Sequence, residues 1–360
     1  MNIGLDFSFS NNTISVSSDF PSDKANEMIN LFKSVLLNPN FNQAEFDMAK
    51  QKIRQNIVDT PDSATKNMLK TIFSNNKNYI SKEEQLKILD NMTLQDVYRI
   101  YFNLLNNSQC GVALSLPKDN SDYVEQTVVN NLSFNMPIAR PFIKEIDMQA
   151  SLYQTNLQEK IICDVQEKPK AEVVKSYQYK FTNNLEDKIK FRILESVLFD
   201  RLFDDLRSEQ NLCYTPQVNF DNVNDVGFFD FSVLTSTDPN MSAEASPENV
   251  NKAIAGFDKH AQAMKTELIT EKELQCAKNT LKTNLLNKFE ENSGRVCSLF
   301  GDMSSYLGMD YNEKYIEAID KITAEDIKAA ANYVFANKPI TSIVASQYTL
   351  DALGLKKNVQ

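Results

Sequence analysis

The sequence is poor in glycine and histidine, and each shortage removes a class of site. With eight glycines among 360 residues, no G-x-G-x-x-G or Walker pattern can be assembled, so a glycine-rich phosphate loop is excluded. The one histidine, His260, has no potential metal ligand four residues away on either side. We therefore interpret His260 as a surface or packed residue rather than a metal ligand.

Long hydrophobic runs are also missing. No apolar stretch approaches the roughly 20 residues that a membrane-spanning helix needs. The start, Met1 to Asp6, lacks the basic residues followed by an apolar stretch that mark a signal peptide. These absences predict no membrane partner and a cytoplasmic protein, unless an upstream targeting segment was removed.

The cysteines do not form a recognisable framework. They are odd in number, widely spaced and without any C-x-x-C: Cys110, Cys163, Cys213, Cys276 and Cys297. This pattern predicts buried free thiols in a reducing compartment rather than disulfides.

The overall charge is acidic. The formal net charge is −10 and no cluster of Lys and Arg stands out, so a nucleic-acid partner is not expected. The hydrophobic fraction of 42% and the charged fraction of 24% are typical of a globular protein with a buried core in each half.

Three sequence matches in the same order predict an internal duplication. The segment E-F-D-M-A-K at 45–50 recurs as E-L-Q-C-A-K at 273–278, an offset of 228. The segment at 89–97 recurs at 319–327, an offset of 230, and Ile29 and Phe32 match Ile254 and Phe257 at an offset of 225. The alternative is that any two amphipathic helices look alike.

The matched segments share a helix start. Thr93 and Thr323 each precede an apolar-periodic run, with Asp96 and Asp326 three residues further on. This spacing predicts an N-cap in which side chains satisfy the free amides of the first helical turn.

Hydrophobic periodicity predicts strands and helices in both copies. In the second copy, apolar residues at four-residue steps predict a long helix over 185–207. The other elements expected there are strands at 171–181, 227–235 and 341–345, and helices at 247–265, 270–289, 295–307, 312–319 and 324–335. In the first copy we expect strands at 13–18 and 110–115, helices at 23–37, 43–58 and 63–74, and a helix after Thr93.

The first copy is predicted to be incomplete. The offset places the counterpart of helix 185–207 before residue 1, so the first strands and the first long helix of that copy are not in this sequence. A half-sheet without them exposes apolar surface and open edges. Either the natural protein has those residues or another chain supplies the cover.

One motif resembles a known family. Residues 202–214, L-F-D-D-L-R-S-E-Q-N-L-C-Y, are similar to the pattern L-F-x-x-L-R-x-x-x-x-L-x-Y in the second domain of the pitrilysin/insulinase-type zinc metallopeptidases, which include mitochondrial processing peptidase. Also similar are L-L-N-P-N-F at 36–41, followed by Glu45, and P-K-A-E-V at 169–173. The resemblance covers nearly the whole chain.

The resemblance implies an α+β fold of two homologous clam-shell domains, with strands packed under helices. The first peptidase-like domain would comprise 1–132 and be incomplete at its N-terminus. A linker would comprise 133–155, and the second domain 156–360.

The same resemblance gives Arg207 and Tyr214 a role in substrate binding. In the family this pair reaches the scissile peptide, where positioned donors stabilise the developing oxyanion. From residue types alone, Arg207 could instead complement a helix dipole, and Tyr214 could be an ordinary core residue at the start of a strand.

The zinc motif of the family is absent. Family enzymes bind zinc through H-x-x-E-H on a first-domain helix and a later Glu. Here the helix that should carry the motif falls outside the sequence, Asn56 stands about where the later Glu is expected, and helix 185–207 has Glu195 but no histidine. We expect no metal ligand and no catalytic residue in this chain, with zinc in a partner.

Two further patterns have structural interpretations. The acidic pair Asp204 and Asp205 is interpreted as part of a solvated helix face, because adjacent helical residues point about 100° apart. Cys213 has no nearby histidine to activate it, so we interpret it as a small core residue.

Three functions remain open. The chain is a non-catalytic subunit that binds extended peptides through Arg207 and Tyr214 beside a zinc-bearing homologous partner. Alternatively, it is a truncated piece of an active zinc endopeptidase whose missing N-terminal segment carries H-x-x-E-H. In the third interpretation it is a catalytically dead scaffold or assembly subunit, as similar domains are in respiratory complexes.

Overall fold

The computed structural model describes residues 4–10, 13–73, 80–107, 111–117, 158–182, 184–223, 225–240, 242, 244–304 and 310–358. The chain forms two compact units. Unit 1 comprises Met1–Thr60, Ser81–Ile146 and Leu285–Asn312, and unit 2 comprises Pro61–Ile80, Asp147–Asn284 and Glu313–Gln360. Each unit therefore takes a segment from the other half of the sequence. The linker predicted at 133–155 lies outside the described residues, and the division into 1–132 and 156–360 stays a prediction.

The described helices and strands follow in a mixed order. They are β1 (Asp6–Ser10), β2 (Thr13–Ser17), α1 (Ala25–Leu37), α2 (Gln43–Asp59), α3 (Ala64–Phe73), α4 (Lys82–Asn91), α5 (Leu94–Asn107), β3 (Lys160–Val165), β4 (Lys170–Lys180), α6 (Leu185–Leu202), β5 (Gln217–Val223), β6 (Val226–Ser236), α7 (Asn249–Thr266), α8 (Glu271–Lys288), α9 (Asn292–Ser304), α10 (Tyr311–Lys321), α11 (Ala324–Phe335), β7 (Pro339–Ala345) and α12 (Gln347–Ala352). A 3-10 turn, Ser22–Lys24, precedes α1, and a π-helical turn, Phe203–Glu209, follows α6. No described helix is both long and apolar enough to cross a membrane.

Most of the predicted helices and strands are confirmed, with ends shifted by a few residues. The strand predicted at 110–115 is wrong over its described part, since residues 111–115 adopt no strand. A strand needs a hydrogen-bonded neighbour, and no described segment pairs with these residues. Five described elements were not predicted from the sequence: β1, β3, β5, α4 and α12.

Unit 2 is built on a five-stranded sheet in the order β3-β7-β4-β6-β5. β3 and β7 are parallel, and the other pairs are antiparallel. β4 lies at the centre and is paired along its whole length with β6, from Lys170 opposite Ser236 to Lys180 opposite Val226. Because strands flank it on both sides, every residue of β4 from Ala171 to Tyr179 is buried except Glu172, which is half-buried.

Helices α6, α7 and α11 cover one face of this sheet and form the main core. Phe231 of β6 is fully buried, and its ring centroid lies 5.4 Å from that of Phe257 on α7 and 5.8 Å from that of Phe335 on α11. Burying one such phenylalanine contributes about 2 kcal/mol or more. Strands packed under helices give the predicted α+β fold.

Helix α3 covers part of the opposite face. Its buried residues Ala64, Met68 and Ile72 share a cluster with Val174 of β4 and Phe228 of β6. The apolar side of α3 explains why β4 and β6 carry buried apolar residues on both faces.

Unit 1 has fewer strands among its described residues. β1 and β2 form an antiparallel hairpin from Asp6 opposite Ser17 to Ser10 opposite Thr13. A small cluster joins Ala25 and Ile29 of α1 to Leu114 and Leu116. Helices α2 and α5 contain no buried residue, so much of their apolar surface is in contact with solvent.

Candidate functional site

A π-helical turn places Arg207 at the end of α6. In this turn the amide of Gln210 donates to the carbonyl of Asp205 at 3.0 Å, five residues back rather than four. Such turns insert one extra residue and are frequent at functional sites. Leu206 anchors the turn, because it is fully buried and a Cβ at Gly256 of α7 would lie only 2.6 Å from its Cδ2.

The chain then reverses and brings Tyr214 back beside Arg207. Asn211 adopts a φ of 51°, a left-handed conformation that asparagine tolerates better than most residues. The amide of Leu212 donates to the carbonyl of Leu206 at 2.8 Å, and Cys213 bridges to Thr235 of β6. These contacts hold the backbone just before Tyr214, which is 83% exposed.

Arg207 and Tyr214 form a cation–π pair at the surface. The guanidinium carbon lies 5.5 Å from the centroid of the tyrosine ring. Nη1 of Arg207 donates to Oδ1 of Asn211 at 2.9 Å, and Nδ2 of Asn211 donates to Oε2 of Glu244 at 2.5 Å. Within the described residues, no carboxylate forms an ion pair with Arg207. Most of its five N–H groups are therefore available to donate hydrogen bonds to a ligand.

The alternative that Tyr214 is a core residue is wrong, since its side chain lies in solvent. Arg207 also lies in the last turn of a helical segment, where a cation complements the dipole. That stabilising role and a binding role are compatible. Sequence reasoning missed Asn211 and Glu244, although an Asn just after a helix is a usual signal for a left-handed residue.

Two residues before Arg207, the buried carboxylate of Asp205 is bound by three polar side chains. It is 5% exposed. Its Oδ2 lies 2.8 Å from Nζ of Lys259 and 2.7 Å from Nε2 of His260, and its Oδ1 accepts from Gln210 at 2.5 Å. Burial by itself raises the pKa of Asp205, but the hydrogen bonds with Lys259, Gln210 and His260 outweigh it and lower the pKa to about 2.

The contacts of Asp205 show that it was wrongly interpreted as part of a solvated helix face, and they show that His260 is a packed residue. Asp204 is exposed, but Asp205 is not on a solvated face, because α7 approaches the π-helical turn and supplies its partners. His260 is packed against Asp205 and ties α7 to the segment that carries Arg207.

Cys213 lies next to the exposed pair but is buried, at 6% exposure. Burial raises the pKa of its thiol above the ordinary value, and the opposing effect of the Arg207 charge is smaller. A protonated, buried thiol packs as a small apolar side chain.

The residues that the structure describes do not fit a zinc ion. No group of three or more His, Cys, Asp or Glu side chains among them could hold a metal. Asn56 is exposed near the end of α2. Glu195 is engaged by Nη1 of Arg192 and by the amide of Phe220.

Comparison with known protein families shows which family the chain belongs to. The model of the peptidase M16 inactive domain matches residues 89–281, more than half of the chain. The chain belongs to this family. The M16 inactive domain is the non-catalytic half of peptidase-fold proteins. No curated protein sequence matches the chain.

Solved structures with the same fold include several proteases. The periplasmic protease PqqL from Escherichia coli has a TM-score of 0.67 and 10% identity over 96% of this chain, which spans only 37% of the PqqL chain. A protease from Helicobacter pylori has a TM-score of 0.69 and 15% identity, over 95% of this chain and 82% of its own. A chain of complex III2 from Candida albicans, with Inz-5 bound, has a TM-score of 0.69 and 14% identity, over 98% and 83%. At these identities the likeness shows the fold.

Proposed function

We propose that the chain is the non-catalytic member of a zinc-peptidase pair and that it binds extended peptides through Arg207 and Tyr214. One observation carries the proposal: an 83% exposed tyrosine is held beside an arginine that has no carboxylate partner in the described part of the chain. A large aromatic side chain so exposed, next to free donors, is typical of a recognition surface. Zinc and the catalytic residues would belong to a homologous partner subunit.

The chemistry of the pair suits a peptide backbone. The guanidinium and the phenolic hydroxyl both donate, and carbonyl oxygens of an extended peptide accept. Tyr214 also leads into β5, which starts at Gln217 and is an edge strand of the described sheet. A peptide added to that edge would gain backbone hydrogen bonds and pass the two side chains.

We also propose that the two halves of the chain arose by internal duplication. Nζ of Lys50 donates to the carbonyl of Asp90 at 2.8 Å, and Nζ of Lys278, its counterpart in the second copy, donates to the carbonyl of Asp320 at 3.0 Å. Arg54 likewise pairs with the Asp90 carboxylate, as Lys282 does with Asp320. The Thr93–Asp96 and Thr323–Asp326 caps repeat as well. Repeated tertiary contacts at nearly constant offset support common descent of the two segments.

Binding of fluorescein-labelled β-casein, a natively unfolded polypeptide, tests the peptide-binding role. We expect the Arg207→Ala/Tyr214→Ala variant to bind about tenfold more weakly in fluorescence anisotropy, because a charged donor and an aromatic contact are both lost. The matched control is Arg99→Ala/Tyr348→Ala, which removes the same residue types at other exposed positions. Equal affinity of the two variants for β-casein would overturn the proposal.

A second candidate is a scaffold or assembly subunit, and the likeness to the complex III2 chain favours it. In that role Arg207 and Tyr214 would be dispensable. Native mass spectrometry of the complex assembled in its source cells separates the two candidates. An assembly that forms with the Arg207→Ala/Tyr214→Ala chain and binds β-casein as well as the parent would support the scaffold.

A further inference from the structure

The sheet face of unit 2 that α3 covers in part also carries a group of polar side chains. In the register of β4 and β6, Ser176 is opposite Asp230, and Gln178 is opposite Phe228, which belongs to the cluster under α3. Side chains two residues apart point to the same face of a strand, so Ser176, Gln178 and Asp230 share this face. We call these three residues the polar patch of unit 2.

Burial in the polar patch decreases toward β5. Ser176 is 2% and Gln178 is 3% exposed, whereas Asp230 is half-buried. On β5, Asn219 is opposite Asp230, and Asp221 follows two residues later on the same face. Both of these β5 residues are exposed. The polar patch is therefore reached from solvent on the side of β5.

The carboxamide of Gln178 is buried without a hydrogen bond. Neither its Nε2 nor its Oε1 has a partner among the described residues. Burying an unpaired amide is unfavourable, and such a group in a folded protein is often explained by a water or a ligand that binds there. Because no hydrogen bond holds this carboxamide, it is free to turn toward a ligand in the polar patch.

Asp230 uses one of its two carboxylate oxygens within the described part of the chain. Its Oδ1 accepts a hydrogen bond from the hydroxyl of Ser176, which leaves Oδ2 for a ligand. Burial raises the pKa of Asp230 to about 7; the Ser176 hydrogen bond opposes this, and the nearby Asp221 carboxylate adds to it. A cation bound at Oδ2 would compensate the ionised carboxylate for its lost hydration.

The strands around the polar patch supply no such cation. The sequences of β5, β6 and β7 contain no lysine or arginine. On β4, Lys170 and Lys180 are the two terminal residues. Lys175 lies on the opposite face of β4, where it binds Asp258 of α7.

Helix α3, which covers the neighbouring part of the face, carries two further lysines. Lys66 and Lys70 each follow a buried residue by two positions, which places them on the side of α3 away from the sheet. Lys66 is paired with Asp62 at 2.8 Å. Glu172 of β4 shares the face of the polar patch, and its carboxylate accepts from the amide of Ala64 at 3.1 Å.

We propose that the polar patch of unit 2 binds a primary ammonium group. The three N–H donors of an ammonium match three oxygens: Oε1 of Gln178, Oγ of Ser176 and Oδ2 of Asp230. The carboxylate of Asp230 would balance the positive charge. The ammonium would come either from a lysine side chain of a polypeptide or from a free small amine. The inference is independent of the Arg207–Tyr214 pair.

Two peptides that differ in one side chain test the ammonium. The first is an acetylated and amidated pentapeptide with a central lysine, and the second has norleucine in its place. We expect the lysine peptide to bind the full chain at least tenfold more tightly in saturation-transfer NMR, because only this peptide carries the ammonium. Equal affinity for the two peptides would overturn the inference.

A free amine, n-butylamine, distinguishes the two sources of the ammonium. Affinity for n-butylamine similar to that for the lysine peptide would support a free amine as the ligand. Affinity at least tenfold below that of the lysine peptide would support a lysine side chain of a polypeptide. If neither amine showed saturable binding, the inference would be overturned.

The pH dependence of binding distinguishes a charge contact from simple packing. With a pKa of about 7, Asp230 is about one tenth ionised at pH 6 and about nine tenths ionised at pH 8, while a lysine ammonium stays charged at both. Affinity for the lysine peptide should therefore rise about tenfold from pH 6 to pH 8. Asp230→Asn should bind weakly and equally at both. Affinity of the parent that does not change with pH would contradict the proposal.

Matched substitutions of two aspartates locate the site. Asp230→Asn should weaken binding of the lysine peptide at pH 8 at least tenfold, without lowering the urea midpoint of unfolding. Asp238→Asn makes the same change two residues beyond the end of β6 and should alter affinity less than threefold. Equal weakening by the two substitutions would place the amine elsewhere and overturn the inference.

Gln178→Leu tests the unpaired carboxamide. The variant should bind the lysine peptide about fivefold more weakly, because one acceptor is lost. Its urea midpoint should be unchanged or higher, since a buried polar group without a partner has been removed. Affinity equal to that of the parent would exclude Gln178 from the site and overturn the inference. None of these results depends on β-casein binding.

Discussion

Helices α2 and α8 carry the same pattern of apolar residues and the same lysine contact, yet they differ in burial. Leu281 of α8 is 9% exposed and Ile53 of α2, at the corresponding position, is 48% exposed. The neighbours account for the contrast: Glu273 of α8 is bound by Arg201 of α6, and no described helix takes that place beside α2. Amphipathic periodicity thus marks the face that can be buried, and a separate element has to bury it.

Local features, in contrast, do not depend on that cover. The amide of Asp96 donates to Oγ1 of Thr93 at 3.2 Å, and the amide of Asp326 donates to Oγ1 of Thr323 at the same distance. The two caps are alike although α5 has no buried residue and α11 has five. A contact within four residues needs no tertiary partner.

The largest difference between the units is expected at matched phenylalanines. Phe257→Ala in α7 should destabilise unit 2 by about 3–5 kcal/mol, because Phe257 is fully buried and its removal leaves a cavity. Phe32→Ala in α1 should destabilise unit 1 by about 1–2 kcal/mol, since Phe32 is half-buried and its transfer from water is incomplete. Native-state hydrogen exchange measured by mass spectrometry on α7 and α1 reports each unit separately. Equal losses of stability in the two units would contradict this expectation.

The stability of unit 2 is expected to depend on pH through Asp230 of β6, a strand that lies between β4 and β5. Burial raises the pKa of Asp230 on β6 to about 7, although a hydrogen bond from Ser176 opposes this. Because the folded pKa lies above the ordinary value of 3.8, its contribution to stability is complete below about pH 4 and is lost as pH rises through about 7.

Asp230→Asn removes that titration. We expect the variant to be more stable than the parent at pH 8, by roughly 1–3 kcal/mol, with a smaller difference at pH 5. Urea unfolding followed by circular dichroism at both pH values measures it. The control is Glu317→Gln, which removes an exposed charge from the same unit. If the variant and the parent differed in stability by the same amount at pH 5 and pH 8, the raised pKa of Asp230 would be contradicted.

A smaller difference in stability is expected between substitutions at Glu273 and at the matching residue Glu45. Burial raises the pKa of Glu273, but hydrogen bonds from Arg201 and Thr270 outweigh it and lower the pKa to about 2. Because the folded pKa lies below the ordinary value of 4.5, the stabilisation is present above pH 4.5 and is lost as pH falls toward 2.

Glu273→Gln should therefore destabilise unit 2 by about 1 kcal/mol at pH 7, and by less than half of that at pH 3. Glu45→Gln should change stability by less than about 0.5 kcal/mol at either pH, since Glu45 has no ion pair in the described part of the chain. Hydrogen exchange on α8 and α2 measures both. A loss at Glu45 as large as that at Glu273 would show that α2 already has a partner.

The smallest effects are expected at the helix caps, where the two units should agree. Thr93→Ala and Thr323→Ala should each destabilise their helix by roughly 0.5–1 kcal/mol, because each removes one hydrogen bond to the first turn. Exchange rates of the first-turn amides of α5 and α11 measure the loss. Serine at either position retains the hydroxyl and should restore most of the stability. A loss confined to α11 would mean that capping depends on burial after all.

Most of the longer helices of both units were predicted from the sequence because their apolar residues repeat every three to four positions, whereas the shorter α4 and α12 were not. Prediction failed for several strands, because a strand forms only where a neighbouring strand pairs with it. Residues 111–115 have strand-like composition but adopt no strand, and β5 and β3 were missed since their role depends on β6 and β7. At the site, the motif identified Arg207 and Tyr214, and the Asn211–Glu244 contact came only with the structure, because those residues lie 33 positions apart.

The sequence by itself determined the periodic apolar faces, the caps at Thr93 and Thr323, and the lack of paired histidines in this chain, since each depends on residues that are close along the chain. The tertiary structure alone decided that Tyr214 lies in solvent, that Asp205 is buried against Lys259 and His260, and that α2 and α5 are exposed. Burial is a property of neighbours that are distant in sequence, so the same apolar pattern forms a core in unit 2 and an open surface in unit 1.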